Sequence, residues 1–193
     1  MSLKYAIIGK NWGYKIYNVL KSMKKDVIFL NIKSQKYYKN KEIYKANARK
    51  VIKNTFVDII WIATPPSEHF FLLNESIKNN FNVIVEKPWI SNLRKTYPLI
   101  KLQKKNNLQI GVHFQYIFLK KIIELGKKKY LNNRKTFFDC FFYTNNKTFP
   151  KISPFYELGS HLVALKLFYF NKSKMNIFDC SYKKKQLRKI NLF

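Results

Sequence analysis

Asp58-Ile-Ile-Trp-Ile-Ala-Thr-Pro-Pro-Ser-Glu-His69 opens the stretch that decides the fold, and Asn82-Val-Ile-Val-Glu-Lys-Pro88 closes it. Two short apolar runs, 59–63 and 82–85, flank one amphipathic segment. Each run ends in a loop that carries proline and polar groups. Two β-rich runs joined by a helix read as neighbouring parallel strands. In an open parallel sheet, ligands sit in the loops at the carboxyl ends of strands. The stretch therefore predicts a nucleotide-binding α/β domain that presents Lys87 at a strand end.

The same alternation extends in both directions. Residues 4–9 read as a first strand, and 12–24 as a helix with Tyr17, Leu20 and Met23 at helical spacing. Residues 27–31 read as a second strand, and 46–54 as a short helix. The helix before the second half of the deciding stretch is expected over 67–78. Ser67 is its expected N-cap, and Asn79-Asn80 its left-handed stop. Residues 93–105 read as a further helix and 108–113 as a strand. Strand–helix repetition from the first residues is the pattern of a doubly wound parallel sheet. After about residue 114 the pattern changes. A helix is expected over 117–127, an aromatic-rich strand over 135–143, a helix over 154–170 and two short strands in the tail. Glu157 and His161 then share a helix face at i and i+4.

Composition narrows the function classes. The chain has 193 residues and a formal charge of +28. The excess is nearly all lysine, with arginine only at Arg49, Arg94, Arg134 and Arg188. Base and phosphate readers lean on arginine forks. The chain is also rich in Asn, Ile, Phe and Tyr, which share A/T-rich codons with lysine. Both points argue against a nucleic-acid partner, although the charge favours anionic ligands in general. No apolar run reaches membrane-spanning length, and the start lacks the layout of a cleavable signal peptide. A cytoplasmic protein is expected. Cys140 and Cys180 form no CxxC or Cys/His cluster, so free thiols and no metal site are expected.

Gly9-Lys10-Asn11-Trp12-Gly13 lies between the first strand and first helix. A dinucleotide pyrophosphate needs close backbone approach there and the N–H groups of a helix start. Asn11 stands where a second glycine is usual, and asparagine tolerates positive φ better than most residues. An acid after the second strand would favour the free 2′-hydroxyl of NAD. This chain has Asn31-Ile32-Lys33-Ser34 instead, so Lys33 and Ser34 point to a 2′-phosphate and to NADP.

The glycine turn, Ile62-Ala63-Thr64-Pro65-Pro66-Ser67-Glu68-His69 and Val85-Glu86-Lys87-Pro88 together resemble the glucose–fructose oxidoreductase / inositol dehydrogenase (Gfo/Idh/MocA) family. Glu157-Leu158-Gly159-Ser160-His161 resembles that family's acid-x-Gly-x-His segment. The resemblance covers about residues 4–170. It implies an α/β architecture with an N-terminal Rossmann domain, 1–115, that binds NAD(P). Residues 116–193 would form a truncated C-terminal α/β domain for substrate and dimerisation.

The resemblance also implies hydride transfer between a nicotinamide and a secondary alcohol or ketone of a sugar, cyclitol or nucleotide-sugar-like substrate. On that reading Lys87 and His161 are catalytic, Lys87 at the reacting oxygen and His161 as general acid/base. Gly9, Asn11, Trp12, Gly13, Lys33, Ser34, Ala63, Thr64, Pro65, His69, Glu86 and Lys87 would hold the cofactor. Lys87, His113, Glu157 and His161 would meet the substrate. The Lys87–Pro88 bond is expected to be cis. Ala164 stands where members often carry an acid three residues after the histidine, and Glu157 replaces the usual aspartate. A second reading is a catalytically degenerate nucleotide-binding or partner-binding protein derived from the same family. An exposed edge of the shortened sheet would favour a homo-oligomer.

Overall fold

Five short β-rich segments become five parallel strands. They are β1 (Lys4–Ile8), β2 (Asp26–Phe29), β3 (Ile59–Ile62), β4 (Asn82–Glu86) and β5 (Ile110–His113). Their order is β2-β1-β3-β4-β5, every pairing parallel. Between them lie α1 (Trp12–Ser22), α2 (Lys41–Lys53), α3 (Pro66–Lys78) and α4 (Thr96–Lys105). This is the doubly wound α/β sheet that the alternation predicts. The coordinates are a computed structural model and describe residues 2–90, 92–119, 124, 138–140, 159–169, 182–183, 186–187 and 190–192.

The sheet is covered on both faces because alternate residues of each strand point opposite ways. Ile7 and Val27 pack with Ile16 and Leu20 of α1 on one face. Ala6, Ile8, Ile60, Ile62, Val83 and Val85 pack on the other with Tyr44, Ala48 and Ile52 of α2 and Leu72, Leu73 and Ile77 of α3. β3 and β4 sit inside the sheet, so their runs are apolar with little alternation.

Several boundaries differ from expectation, each for a local reason. α2 begins at Lys41 and not at residue 46, because the Asn40 side chain caps it by accepting the Ile43 N–H at 2.8 Å. Tyr44, Ala48 and Ile52 then fall on one buried stripe. α3 begins at Pro66, with Pro65 at the N-cap position, so Ser67 is not the cap. Proline fits the first helical turn, where its missing N–H costs nothing. The stop after α3 is as expected, with Asn80 at φ 62°. α4 is preceded by a 3-10 turn, Leu93–Lys95.

The chain divides into two units, Met1–His113 and Phe114–Phe193. In the second, a 3-10 turn at Gln115–Phe118 stands where a helix was expected from residue 117. It packs on α5 (Ser160–Tyr169), and the Tyr169 hydroxyl donates to the Ile117 carbonyl. β6 (Phe138–Cys140) pairs antiparallel with β9 (Ile190–Leu192), and β7 (Tyr182–Lys183) with β8 (Gln186–Leu187). Among the described residues, no helix is long and apolar enough to cross a membrane, and no group of His, Cys, Asp or Glu is placed to hold a metal ion. Cys180 lies outside the described residues.

Candidate dinucleotide site

Parallel strands of similar length bring their following loops to one edge of the sheet. There the loops after β1, β2 and β3 enclose a cleft of about 290 Å³. Gly9, Asn11 and Trp12 line it from the first loop, Ser34 from the second, and Ala63, Thr64 and Pro65 from the third. Lys10, Ile32, Lys36 and Tyr37 also line it. Lys10 and Ile32 fall inside the two motifs quoted above but were not assigned to the cofactor; Lys36 and Tyr37, in the short 3-10 helix Gln35–Tyr37, carry no local signal of a ligand.

The first loop is shaped by backbone constraints. Gly9 has φ 122°, and a Cβ there would lie 2.1 Å from the Ala63 carbonyl oxygen. Only glycine lets the turn after β1 close against the end of β3. The Ala63 N–H donates to the Ile8 carbonyl at 2.7 Å and draws the two strand ends together. Asn11 adopts φ 41° and caps α1 with no side-chain bond. Gly13 does not line the cleft. A Cβ on it would meet the Ile7 Cγ2 at 3.3 Å, so its role is close packing of α1 on the sheet.

Behind the third loop stands His69, fully buried. Its Nδ1 lies 2.9 Å from the Pro88 carbonyl oxygen and its Nε2 2.8 Å from that of Thr64. The ring thus lies between the loop after β3 and the loop after β4, and in its neutral form it donates to one of the two carbonyls. Burial pulls its pKa below the ordinary value, against the two carbonyls and the Glu86 and Glu68 carboxylates, which favour the proton.

Lys87 follows β4 half-buried, and its bond to Pro88 is cis. Glu86, beside it, is buried and lies 2.5 Å from the Nδ1 of His113 at the end of the neighbouring strand β5. The Trp61 ring stacks edge-on to His113, with centroids 5.1 Å apart. The structure therefore joins Glu86 and His113, which the sequence assigned to different ligands. His161 belongs to the second unit. It is buried on α5, its ring 4.5 Å from that of Tyr116 and 5.9 Å from that of Phe114. Glu157 lies outside the described residues.

Lys33 is exposed and is not among the cleft-lining residues. Ser34 lines the cleft, but its hydroxyl donates to Glu68 Oε1 at 2.5 Å. Of the two residues behind the expectation of NADP, Lys33 thus stands outside the cleft lining and the Ser34 hydroxyl turns its proton to Glu68.

The lining fits a dinucleotide. Thr64 lines the cleft, and its buried Oγ1 has no hydrogen-bond partner within the protein. The first turn of α1 has no side-chain cap, so the turn is available to an anion. A family model described as an oxidoreductase family with an NAD-binding Rossmann fold matches residues 3–114.

The chain belongs to the Gfo/Idh/MocA oxidoreductase family.

Relatives agree with this assignment. Oxidoreductase P35 of Formosa agariphila is 26% identical over 161 residues, covering 75% of this chain and 50% of that protein. The chain thus spans about half the length of the curated relative it matches. The dehydrogenase MviM from Clostridium difficile superposes with a TM-score of 0.67 at 18% identity, over 97% of this chain and 64% of that one. The WlbA dehydrogenase from Bordetella pertussis, in complex with NADH and UDP-GlcNAcA, gives 0.67 at 13% identity, over 88% and 57%. At these identities the solved structures show a shared fold. In open parallel sheets, ligands bind outside the carboxyl ends of the strands, the edge at which this Gfo/Idh/MocA chain has its cleft.

Proposed function

We propose that this chain serves an NAD(P)-dependent oxidoreductase acting on a secondary alcohol or ketone of a sugar, cyclitol or nucleotide-sugar-like substrate. The observation that carries the reading is the cleft itself. A glycine turn closed against β3, an α1 start with no side-chain cap and the unpartnered Thr64 hydroxyl meet at one edge of a parallel sheet. Among relatives of the fold, the B. pertussis WlbA dehydrogenase holds NADH and UDP-GlcNAcA, which supports a sugar-like substrate here.

Gly9, Asn11 and Trp12 would hold the pyrophosphate through backbone N–H groups, with Lys10 adding charge. Thr64 and Pro65 would wall the cofactor, and His69 would keep their loop fixed to Pro88. Bound there, the nicotinamide supplies the hydride chemistry. Lys87, at the end of β4, would stabilise negative charge on the reacting oxygen. His161 would carry the hydroxyl proton as general base and return it as general acid. Glu86, paired with His113, would fix the backbone from which Lys87 projects. The second unit would offer its strands to a second copy of the chain.

Titration of NADH and NADPH by fluorescence tests the cofactor half, and binding of neither at millimolar concentration refutes it. Lys87→Ala and His161→Ala should each cost about two orders of magnitude or more in turnover on a panel of sugars and cyclitols, without loss of fold. Unchanged rates would remove those residues from the chemistry. Binding without turnover by the native chain would favour a nucleotide-binding protein that has lost catalysis.

A further inference from the structure

A dinucleotide fold uses an acid at the carboxyl end of β2 to recognise the adenosine ribose of NAD. The segment Asn31-Ile32-Lys33-Ser34 contains none. The tertiary structure brings one from another element. Glu68, in the first turn of α3, is 3% exposed, and its carboxylate faces the segment after β2. Oε1 accepts the Ser34 hydroxyl at 2.5 Å and the Gln35 N–H at 3.0 Å. Oε2 accepts the Tyr44 hydroxyl at 3.0 Å. Burial, and then the Glu68 charge, push the Tyr44 phenol far above its ordinary range, so it remains a donor.

A serine hydroxyl has one proton and two lone pairs. The Ser34 proton is committed to Glu68, so Ser34 offers the cleft only lone pairs, backed by a buried anion. A ribose 2′-hydroxyl can donate to such a group. A 2′-phosphate brings acceptor oxygens and negative charge, and finds no proton to accept from the Ser34 hydroxyl or from the Glu68 carboxylate behind it.

We infer that Ser34 and Glu68 together take the place of the missing β2 acid and make this cleft select NAD over NADP. The inference rests on the dinucleotide reading of the cleft. Ser34 is the specificity-determining contact, and Glu68 is a positioning residue that acts through it. Lys10 and Lys36 do not reverse the preference. Their ammonium groups lie over the Tyr37 ring, 5.4 and 5.0 Å from its centroid, on exposed side chains. Both lysines line the cleft, and the pyrophosphate common to both cofactors draws on their charge.

The test is the ratio of NADH to NADPH dissociation constants for the full chain, by fluorescence titration or calorimetry. The native chain should bind NADH at least about tenfold more tightly. Ser34→Ala should weaken NADH by roughly three- to tenfold, the worth of one hydrogen bond, and leave NADPH unchanged. Glu68→Gln keeps an acceptor for Gln35 but removes the charge, and should also narrow the ratio. A merely structural Glu68 would weaken both cofactors alike and leave the ratio where it was, which would overturn its part. NADPH binding as tightly as NADH, or a ratio unmoved in Ser34→Ala, would overturn the inference. Binding of neither cofactor would instead overturn the dinucleotide reading beneath it.

Discussion

Gly9→Ala is the sharpest perturbation of this fold, and its cost can be worked from the coordinates. The new Cβ would sit 2.1 Å from the Ala63 carbonyl oxygen and 2.5 Å from its carbon. Both are backbone atoms, so no side chain can swing aside. Separation must grow by about 0.9 Å to reach the 3.0 Å that real Cβ contacts respect. That shift strains the 2.7 Å bond from Ala63 N–H to Ile8 carbonyl, which joins β3 to β1. Losing it costs about 1 kcal/mol. An L-residue at φ 122° adds roughly 1–3 kcal/mol of backbone strain. The sum is about 3 kcal/mol, a large fraction of a domain's stability.

Urea unfolding should show this as a fall in midpoint of about 1–2 M, for a slope near 2 kcal/mol/M. Gly111→Ala is the control. Its Cβ would meet only the Ile84 Cγ1 at 3.7 Å and the Val83 carbonyl oxygen at 4.0 Å. Relief of glycine's entropy cost should leave it neutral, or more stable by up to about 1 kcal/mol. A Gly9→Ala chain within about 0.5 kcal/mol of native, or a Gly111→Ala chain that loses as much as Gly9→Ala, would refute the close-approach reasoning.

Three further outcomes follow from the site. Thr64→Val removes a hydroxyl that has no protein partner, so the melting temperature should hold while NADH affinity falls by roughly three- to tenfold. A clear loss of stability would mean the hydroxyl bonds within the protein. Tyr44→Phe takes one donor from the buried Glu68 carboxylate and should cost about 1–3 kcal/mol in chemical denaturation; a change under 0.5 kcal/mol would count against that network. The His69 pKa is lowered from 6.5 by burial, so as pH falls through 6.5 the unfolded chain takes up the proton first. Stability present above that pH should therefore decline below it, down to the folded ring's own pKa. His69→Gln should flatten this slope, and identical slopes in the two proteins would exclude the residue as its source.

The alternation of strands and helices was legible in the amino-acid order alone, because hydrophobic period and turn residues are local properties. The β-branched runs of β3 and β4, Gly9 after β1 and Lys87-Pro88 after β4 could each be read without knowing what they touch. The Asn79-Asn80 pair could be read as a left-handed stop for the same reason, since asparagine tolerates that backbone better than most residues with side chains. The start of α2 was missed because the Lys- and Tyr-rich residues before 46 hide the Asn40 cap and the Tyr44–Ala48–Ile52 stripe.

The surroundings of the segment after β2 are set by packing between distant elements. The segment carries lysine and serine, which read locally as a phosphate site. Parallel packing instead sets α3 beside it and delivers Glu68 from 34 residues away along the chain. The pairing of Glu86 with His113 arises in the same way, from the register of β4 against β5. A hydroxyl's role as donor or acceptor depends on which neighbour has taken its proton. Chain folding fixes that neighbour, and local sequence does not record it.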